Sequence, residues 1–299
     1  MGPVTEPSVL AVDVGGTKLA AGLVDRRGRL TRRAAVATPP GTDGEALFAT
    51  LTALVEEVAA GAGPLAAVGV GCGGPMVGAP SATGTVSPLN IPAWRGFPLA
   101  ARLAERTGLP TAVDNDAKAL ALGEGWVGAA AGSGHHLAMV VSTGVGGGIV
   151  LDGRLLDGAD GNAGHIGHVI VEPEGRTCAC GARGCLEAEA SGTAIRAATG
   201  RPPAEAPPEV RARTGLLVGR AVASVANLLD LRLACVAGSV ALGYGEVFLA
   251  AARAEVARSA RLAFSRGTEV RFGALGDAGP LVGAGAVGWR GVEGAPPPP

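Results

Sequence analysis

VLAVDVGGTKLAAGLV, residues 9–24, sets two apolar runs on either side of a stretch of glycines, a hydroxyl and an ammonium. Val9 to Val14 is broken only by Asp13 and ends at Gly15-Gly16, and Leu19 to Val24 resumes the run after Thr17-Lys18. Short apolar runs bounded by glycine predict a β-hairpin with a Gly-rich turn. A counterpart follows later: Leu137 to Ser142, then TGVGGG, then Ile149-Val150-Leu151. Between the two, Ala46 to Ala60 and Leu99 to Thr107 show helical periodicity. Ala67 to Gly71 and Pro110 to Val113 read as strands, and Ala117 to Gly125 as a helix. Alternating strands and helices predict an α/β fold. Two hairpins of one design predict a duplicated architecture, two lobes with a cleft between them, although no extended repeat accompanies it. The expected lobes are 1–116, completed by 280–299, and 117–279 with the cysteine-rich loop. GRPPAEAPP at 200–208 reads as a surface excursion and the terminal APPPP as an extended tail.

The chain has 299 residues, 47% of them apolar, enough for a sizeable core. Its 25 basic and 26 acidic side chains nearly cancel, which argues against nucleic acid or a membrane surface as partner and favours small molecules. No signal-peptide pattern opens the chain and no apolar run reaches the roughly 18 residues of a membrane span. A cytoplasmic protein is expected. Five cysteines, three of them clustered, favour metal binding over a disulfide framework.

DVGGTK, Asp13 to Lys18, offers backbone N–H groups, a hydroxyl, an ammonium and a carboxylate to a phosphate, though a plain hairpin turn has the same composition. It lacks the Walker A spacing. STGVGGG, Ser142 to Gly148, has similar character and does not open a helix as a dinucleotide fingerprint would. Two such turns favour a nucleotide. Asp114-Asn115-Asp116 fits a helix cap, and equally a strand-end carboxylate that accepts a hydroxyl proton during phosphoryl transfer. Cys178, Cys180 and Cys185, with His168 upstream, make a closed Cys3His set suited to tetrahedral zinc, and Gly181 and Gly184 allow the tight loop such a knuckle needs. Cys72 and Cys235, inside apolar runs, read as buried small side chains.

Together DVGGTK, GGP at 73–75, DND, STGVGGG, GHIGH, CACGARGCLE and DAGPLVGAGAVG resemble, in order and over nearly the whole chain, the ROK family of sugar kinases and sugar-responsive repressors. The resemblance implies an actin-like ATPase fold of two RNase H-like lobes with an interlobe active-site cleft, ATP with Mg2+, a structural Zn2+ and a hexose. It makes Asp116 the general base for the sugar 6-hydroxyl and Asn115 a sugar partner. Gly74, His165, His168 and Glu187 would hold the rest of the sugar. Gly15, Gly16, Thr17, Lys18, Thr143, Gly144 and Gly146 would hold the phosphates, with Asp13 near magnesium. Gly238 and Ser239 would lie beside the adenosine, with Ala237 standing where the family has a glycine. His168 would give one ring nitrogen to zinc and face the sugar with the other.

The glucokinases of the family read E-x-G-H where this chain has His165-Ile166-Gly167-His168, which changes the hydrogen bonding near sugar carbons 1 and 2. AGHIGH, VSTGVGGG and AGSVAL look like the bacterial N-acetylmannosamine kinases, so that sugar is the expected substrate and glucose the alternative. A sugar-sensing repressor would need a helix-turn-helix before the first hairpin, and about a dozen residues precede Asp13. A non-catalytic sugar-binding regulator is the remaining alternative. The resemblance also implies a homo-oligomer, dimer or tetramer.

Overall fold

Val9 to Val14 pair antiparallel with Leu19 to Val24, Val14 facing Leu19, so the first hairpin forms where the apolar runs place it. The computed structural model describes residues 6–41, 43–77 and 85–294. The expected APPPP tail lies outside the described residues. In chain order the main elements are β1 (Ser8–Val14), β2 (Lys18–Val24), β3 (Leu30–Ala37), α1 (Gly44–Ala59), β4 (Leu65–Cys72), α2 (Leu99–Thr107), β5 (Thr111–Asn115) and α3 (Asp116–Val127). There follow β6 (His136–Val141), β7 (Val145–Leu151), α4 (Leu186–Ala190), α5 (Gly192–Thr199), α6 (Pro208–Leu229), β8 (Leu233–Ala237), α7 (Ser239–Ser259), β9 (Glu269–Phe272) and α8 (Gly279–Glu293). The fold is α/β, and no helix among the described residues is long and apolar enough to cross a membrane.

The chain divides into two units, one of Met1–Gly132, Arg154–Ala163 and Leu275–Pro299, the other of Ser133–Gly153 and Gly164–Ala274. In the first, the sheet order is β3-β2-β1-β4-β5, with an antiparallel meander on one side of β1 and parallel β4 and β5 on the other. Its core gathers Leu10, Val12 and Val70 with Leu47 and Leu51 of α1, Leu99 and Leu103 of α2, and Trp94, all buried. Asp43 caps α1 by accepting the Ala46 N–H at 2.7 Å, and Gly108 in a left-handed conformation ends α2. The lobe boundary expected at 116/117 falls elsewhere, because α3 packs on α8 within the first unit. A Cβ added at Gly123 would sit 3.1 Å from the Gly283 backbone, so small residues let the two helices touch.

Four strands of the second five-stranded sheet belong to the second unit, in the order β7-β6-β8-β9. β6 and β7 are antiparallel, and β8 and β9 run parallel to β6. The hairpin, central strand and two parallel strands of the first unit thus recur, as the paired motifs predict. One expectation shifts: the turn is confined to residues 142–144, and Gly146 to Gly148 lie in β7, where a Cβ at Gly147 would meet Ile166 at 2.8 Å. The Pro-rich 200–208 excursion ends at Pro208, which opens the long helix α6 at a position that needs no N–H donor.

Candidate active site

In the first unit the strand ends bring the acidic residues into register. Asp13 pairs with Gly71 and Gly71 with Asp114; Val14 pairs with Cys72 and Cys72 with Asn115. Burial, and after it the Asp116 carboxylate, push the Asp13 carboxyl up to about 7 against the pull of Lys18. Burial and the same two carboxylates also raise the Cys72 thiol. The apolar reading of Cys72 therefore holds, since the residue is fully buried.

Of the two readings of DND, the helix cap is met by Asn115, which leaves Asp116 as the strand-end carboxylate. Asn115 is the N-cap of α3, its Oδ1 accepting from Ala117 N at 3.0 Å and Lys118 N at 3.4 Å. Asp116 follows as an exposed first helical residue, accepting the Ala117 N–H at 2.8 Å. Asp114 is buried and ion-paired to Lys118 at 3.1 Å and Arg290 at 3.5 Å. Lys118, itself buried, also donates to Asp157 at 3.0 Å and to the Gly161 carbonyl at 2.8 Å, and Arg290 meets Asp157 at 2.7 Å. Burial raises Asp114, whereas for the more open Asp157 burial is outweighed by Arg290 and Lys118, which hold it low. Nothing in the sequence marks Lys118, Asp157 and Arg290 as one cluster, because lone charges far apart carry no periodic signal.

The turn Gly15 to Thr17 is tied down by its backbone: Gly15 N donates to Lys18 O at 3.0 Å, Thr38 N to Thr17 O at 3.0 Å, and the Thr38 hydroxyl to Gly15 O at 2.7 Å. Gly16, Thr17 and Lys18 are exposed. Gly74 is half-buried and its carbonyl accepts the Leu89 N–H at 3.3 Å.

In the second unit His168, Cys178, Cys180 and Cys185 bring their ligand atoms within 4.8 Å of one another. His168 Nδ1 lies 3.8 Å from Cys178 Sγ, and Cys180 Sγ 3.7 Å from Cys185 Sγ. Tetrahedral zinc with Zn–S bonds of about 2.3 Å separates its ligand sulfurs by roughly 3.8 Å, so the donor set fits that metal. Nδ1 is the nitrogen on the sulfur side, which leaves Nε2 for another partner. His165 is exposed, its ring 6.2 Å from that of His168.

Glu187, in the first turn of α4, accepts the Val145 N–H at 2.9 Å through Oε2. The same oxygen would stand 2.8 Å from a Cβ at Gly144, so a side chain there would have to displace the Glu187 tip. Thr143 is held from the other flank: its carbonyl accepts from Thr193 N at 3.2 Å and from the Thr193 hydroxyl at 3.0 Å. The Ser142 hydroxyl meets that of Ser239 at 2.9 Å. Beside Ser239, Gly238 has φ 97° and packs against the Val141 backbone, a conformation reserved for glycine. Ala237, the departure noted in the sequence, ends β8 opposite Val140 with no positive φ, so its backbone carries no strain.

Residues 9–289 match the ROK family. The glucokinase of Thermotoga maritima is 41% identical over 188 residues, which cover 63% of this chain and 58% of that protein. The N-acetylmannosamine kinase of Citrobacter koseri is 43% identical over 191 residues, 64% of either chain. Both alignments span less than two thirds of the relative's length. Among solved structures, a ROK family glucokinase from Streptomyces griseus in complex with glucose and AMPPNP superposes with a TM-score of 0.81 at 32% identity, covering 95% of this chain and 99% of that one.

Proposed function

The chain belongs to the ROK family, and from that premise we propose that it is an ATP-dependent kinase for the 6-hydroxyl of a hexose or N-acetylhexosamine, with N-acetylmannosamine as its sugar. The observation that carries this reading is the exposed Asp116 at the start of α3, set next to a buried ion cluster and electrostatically coupled to Asp13. Asp116 accepts the hydroxyl proton as the sugar oxygen forms its bond to the γ-phosphorus and the bond to ADP breaks. Asn115 spends its carbonyl oxygen on the helix cap and offers its amide N–H groups to the sugar. Gly74, His165, the Nε2 of His168 and the Oε1 of Glu187 take the remaining sugar groups. The N–H groups and side chains of Gly15 to Lys18 and of Thr143 to Gly146 take the phosphates, and Gly238 takes the adenosine side. Magnesium near Asp13 offsets phosphate charge when bound. His168, Cys178, Cys180 and Cys185 would hold a zinc ion, which would fix the His168 ring. The enzyme works as a cytoplasmic homo-oligomer, dimer or tetramer.

Glucose is the second reading, favoured by the glucokinases among the relatives. His165 separates the two, because an imidazole offers one donor and one acceptor where the E-x-G-H pattern offers a carboxylate that accepts two hydroxyl hydrogens, so the contacts near sugar carbons 1 and 2 differ. The test is ATP turnover on a panel of hexoses with wild type, Asp116→Asn and His165→Glu. The expected outcome is a higher kcat/KM for N-acetylmannosamine than for glucose, a preference moved toward glucose in His165→Glu, and turnover slowed by roughly 10²-fold or more in Asp116→Asn. Higher kcat/KM for glucose in wild type replaces the sugar; near-normal turnover of Asp116→Asn removes the base.

A further inference from the structure

Glu187 is bound to the Gly-rich loop as firmly as a backbone contact allows. Its Oε2 accepts the Val145 N–H at 2.9 Å, directly after the 142–144 turn. Its Cβ borders Gly167, where an added Cβ would come within 3.4 Å of it and would run into the Val145 carbonyl oxygen. The other flank of the turn is held by Thr193 through two bonds to the Thr143 carbonyl, and by Gly192 N, which donates to Ser142 O at 2.7 Å. Both anchors belong to one corner. α4 begins at Cys185, its N-cap, and α5 follows immediately from Ser191, whose hydroxyl caps it by accepting Ala194 N at 3.1 Å. The carboxylate oxygen Oε1 takes no hydrogen bond among the described residues.

We propose that Glu187 is a positioning residue for the nucleotide: one oxygen holds the phosphate loop in shape while the other serves the sugar, so a single carboxylate couples the two ligands. The inference rests on the kinase reading of the site. A charge-assisted bond to a backbone N–H holds the 143–146 amides in one arrangement, and losing it leaves those amides to be ordered by the nucleotide itself. A residue that merely bound sugar would not alter nucleotide affinity in the absence of sugar.

Calorimetric titration of the full-length, metal-replete protein with a non-hydrolysable ATP analogue and magnesium, without sugar, tests this. Glu187→Ala should weaken the analogue about tenfold. Glu187→Gln, whose amide oxygen still accepts the Val145 N–H, should hold it within about twofold while sugar affinity falls. An unchanged analogue affinity in Glu187→Ala, with its melting temperature preserved, overturns the proposal. Should Glu187→Ala fail to fold, Thr193→Val supplies the same readout from the other flank, with about threefold weakening expected and no weakening overturning it. Wild type that binds no analogue overturns the kinase reading and the proposal together, an outcome distinct from the others.

Discussion

The first unit braces its strand ends with charge, the second with soft ligands. Asp114, Lys118, Asp157 and Arg290 close a neutral set of two carboxylates and two cations beneath Asn115 and Asp116. In the second unit His168 is itself part of a Cys3His cluster, and Glu187 lies two residues beyond its last cysteine. A shared strand order therefore does not dictate how the site is held. Buried ion pairs are indifferent to chelators and oxidants, whereas a thiolate–imidazole set exists as a rigid body only with its metal.

The sharpest way to break the comparison is to strip the zinc proposed for the second unit. Structural zinc in small folds is worth about 10–16 kcal/mol in apparent terms. Part of that energy is replaced here by other packing, since Ile166, Val171 and Leu186 are buried within the 164–187 segment. Chelation or Cys180→Ser should lower the melting temperature, abolish most sugar binding through His168, and leave the environment of Asp116 intact. Elemental analysis finding far less than one zinc per chain in fully active protein would remove the metal from the comparison.

The matching cut in the first unit is Lys118→Met. It leaves Asp114 buried beside Arg290 alone, and losing one partner of a buried pair costs about 3–5 kcal/mol. Chemical denaturation should show that loss with zinc content unchanged. Adding Asp114→Asn to the variant should recover part of it, since the uncompensated charge is the main penalty. A loss under about 1 kcal/mol would mean that water reaches the cluster.

How much of this the sequence discloses depends on whether a residue's role is local. The hairpins, α2 and the Cys/His knuckle are readable because runs, turns and ligand spacings are short-range patterns. α8 is not readable as a helix: GPLVGAGAVGWRGVE is rich in glycine, a poor helix former, and the helix exists because those glycines let it lie against α3 and the first sheet. The ion cluster is silent for the same reason, since Asp157 and Arg290 meet Lys118 and Asp114 only through the fold. Among the site residues, Asn115 and Asp116 are adjacent in sequence and divide cap and exposed carboxylate between them, which no spacing rule foretells.

The two Gly-rich turns give a finer contrast. A Cβ at Gly16 would stand 2.7 Å from Asn90 Cβ and 3.2 Å from the Asn90 carbonyl oxygen, both close to the backbone and unable to yield. A Cβ at Gly144 would meet the tip of the Glu187 side chain, which can swing aside. Gly16→Ala should thus destabilise the first unit by about 1–3 kcal/mol. Gly144→Ala should cost less in stability and show instead as weaker nucleotide binding. Equal thermal losses in the two variants would mean that Glu187 is held as rigidly as backbone.

The smallest effect concerns Glu189, a buried carboxylate with which the second unit borrows the first unit's method. Burial alone would raise it. The Arg176 N–H at 2.6 Å and the Arg213 guanidinium at 2.9 Å outweigh burial and hold it below its ordinary value of 4.5. A carboxyl whose folded-state value is depressed favours the folded state once it is ionised. Its contribution is therefore complete above pH 4.5 and is lost as the pH falls through the depressed value. Arg213 is 45% exposed, so solvent screens the pair and the contribution is under about 1 kcal/mol. Glu189→Gln should be slightly less stable than wild type at pH 7, and the gap should close as the pH falls through the depressed value, where wild type takes up the proton that the amide never needs. Thermal melts of both proteins from pH 3 to pH 7 measure it, and a gap that stays constant across that range would assign the role of Glu189 to packing rather than charge.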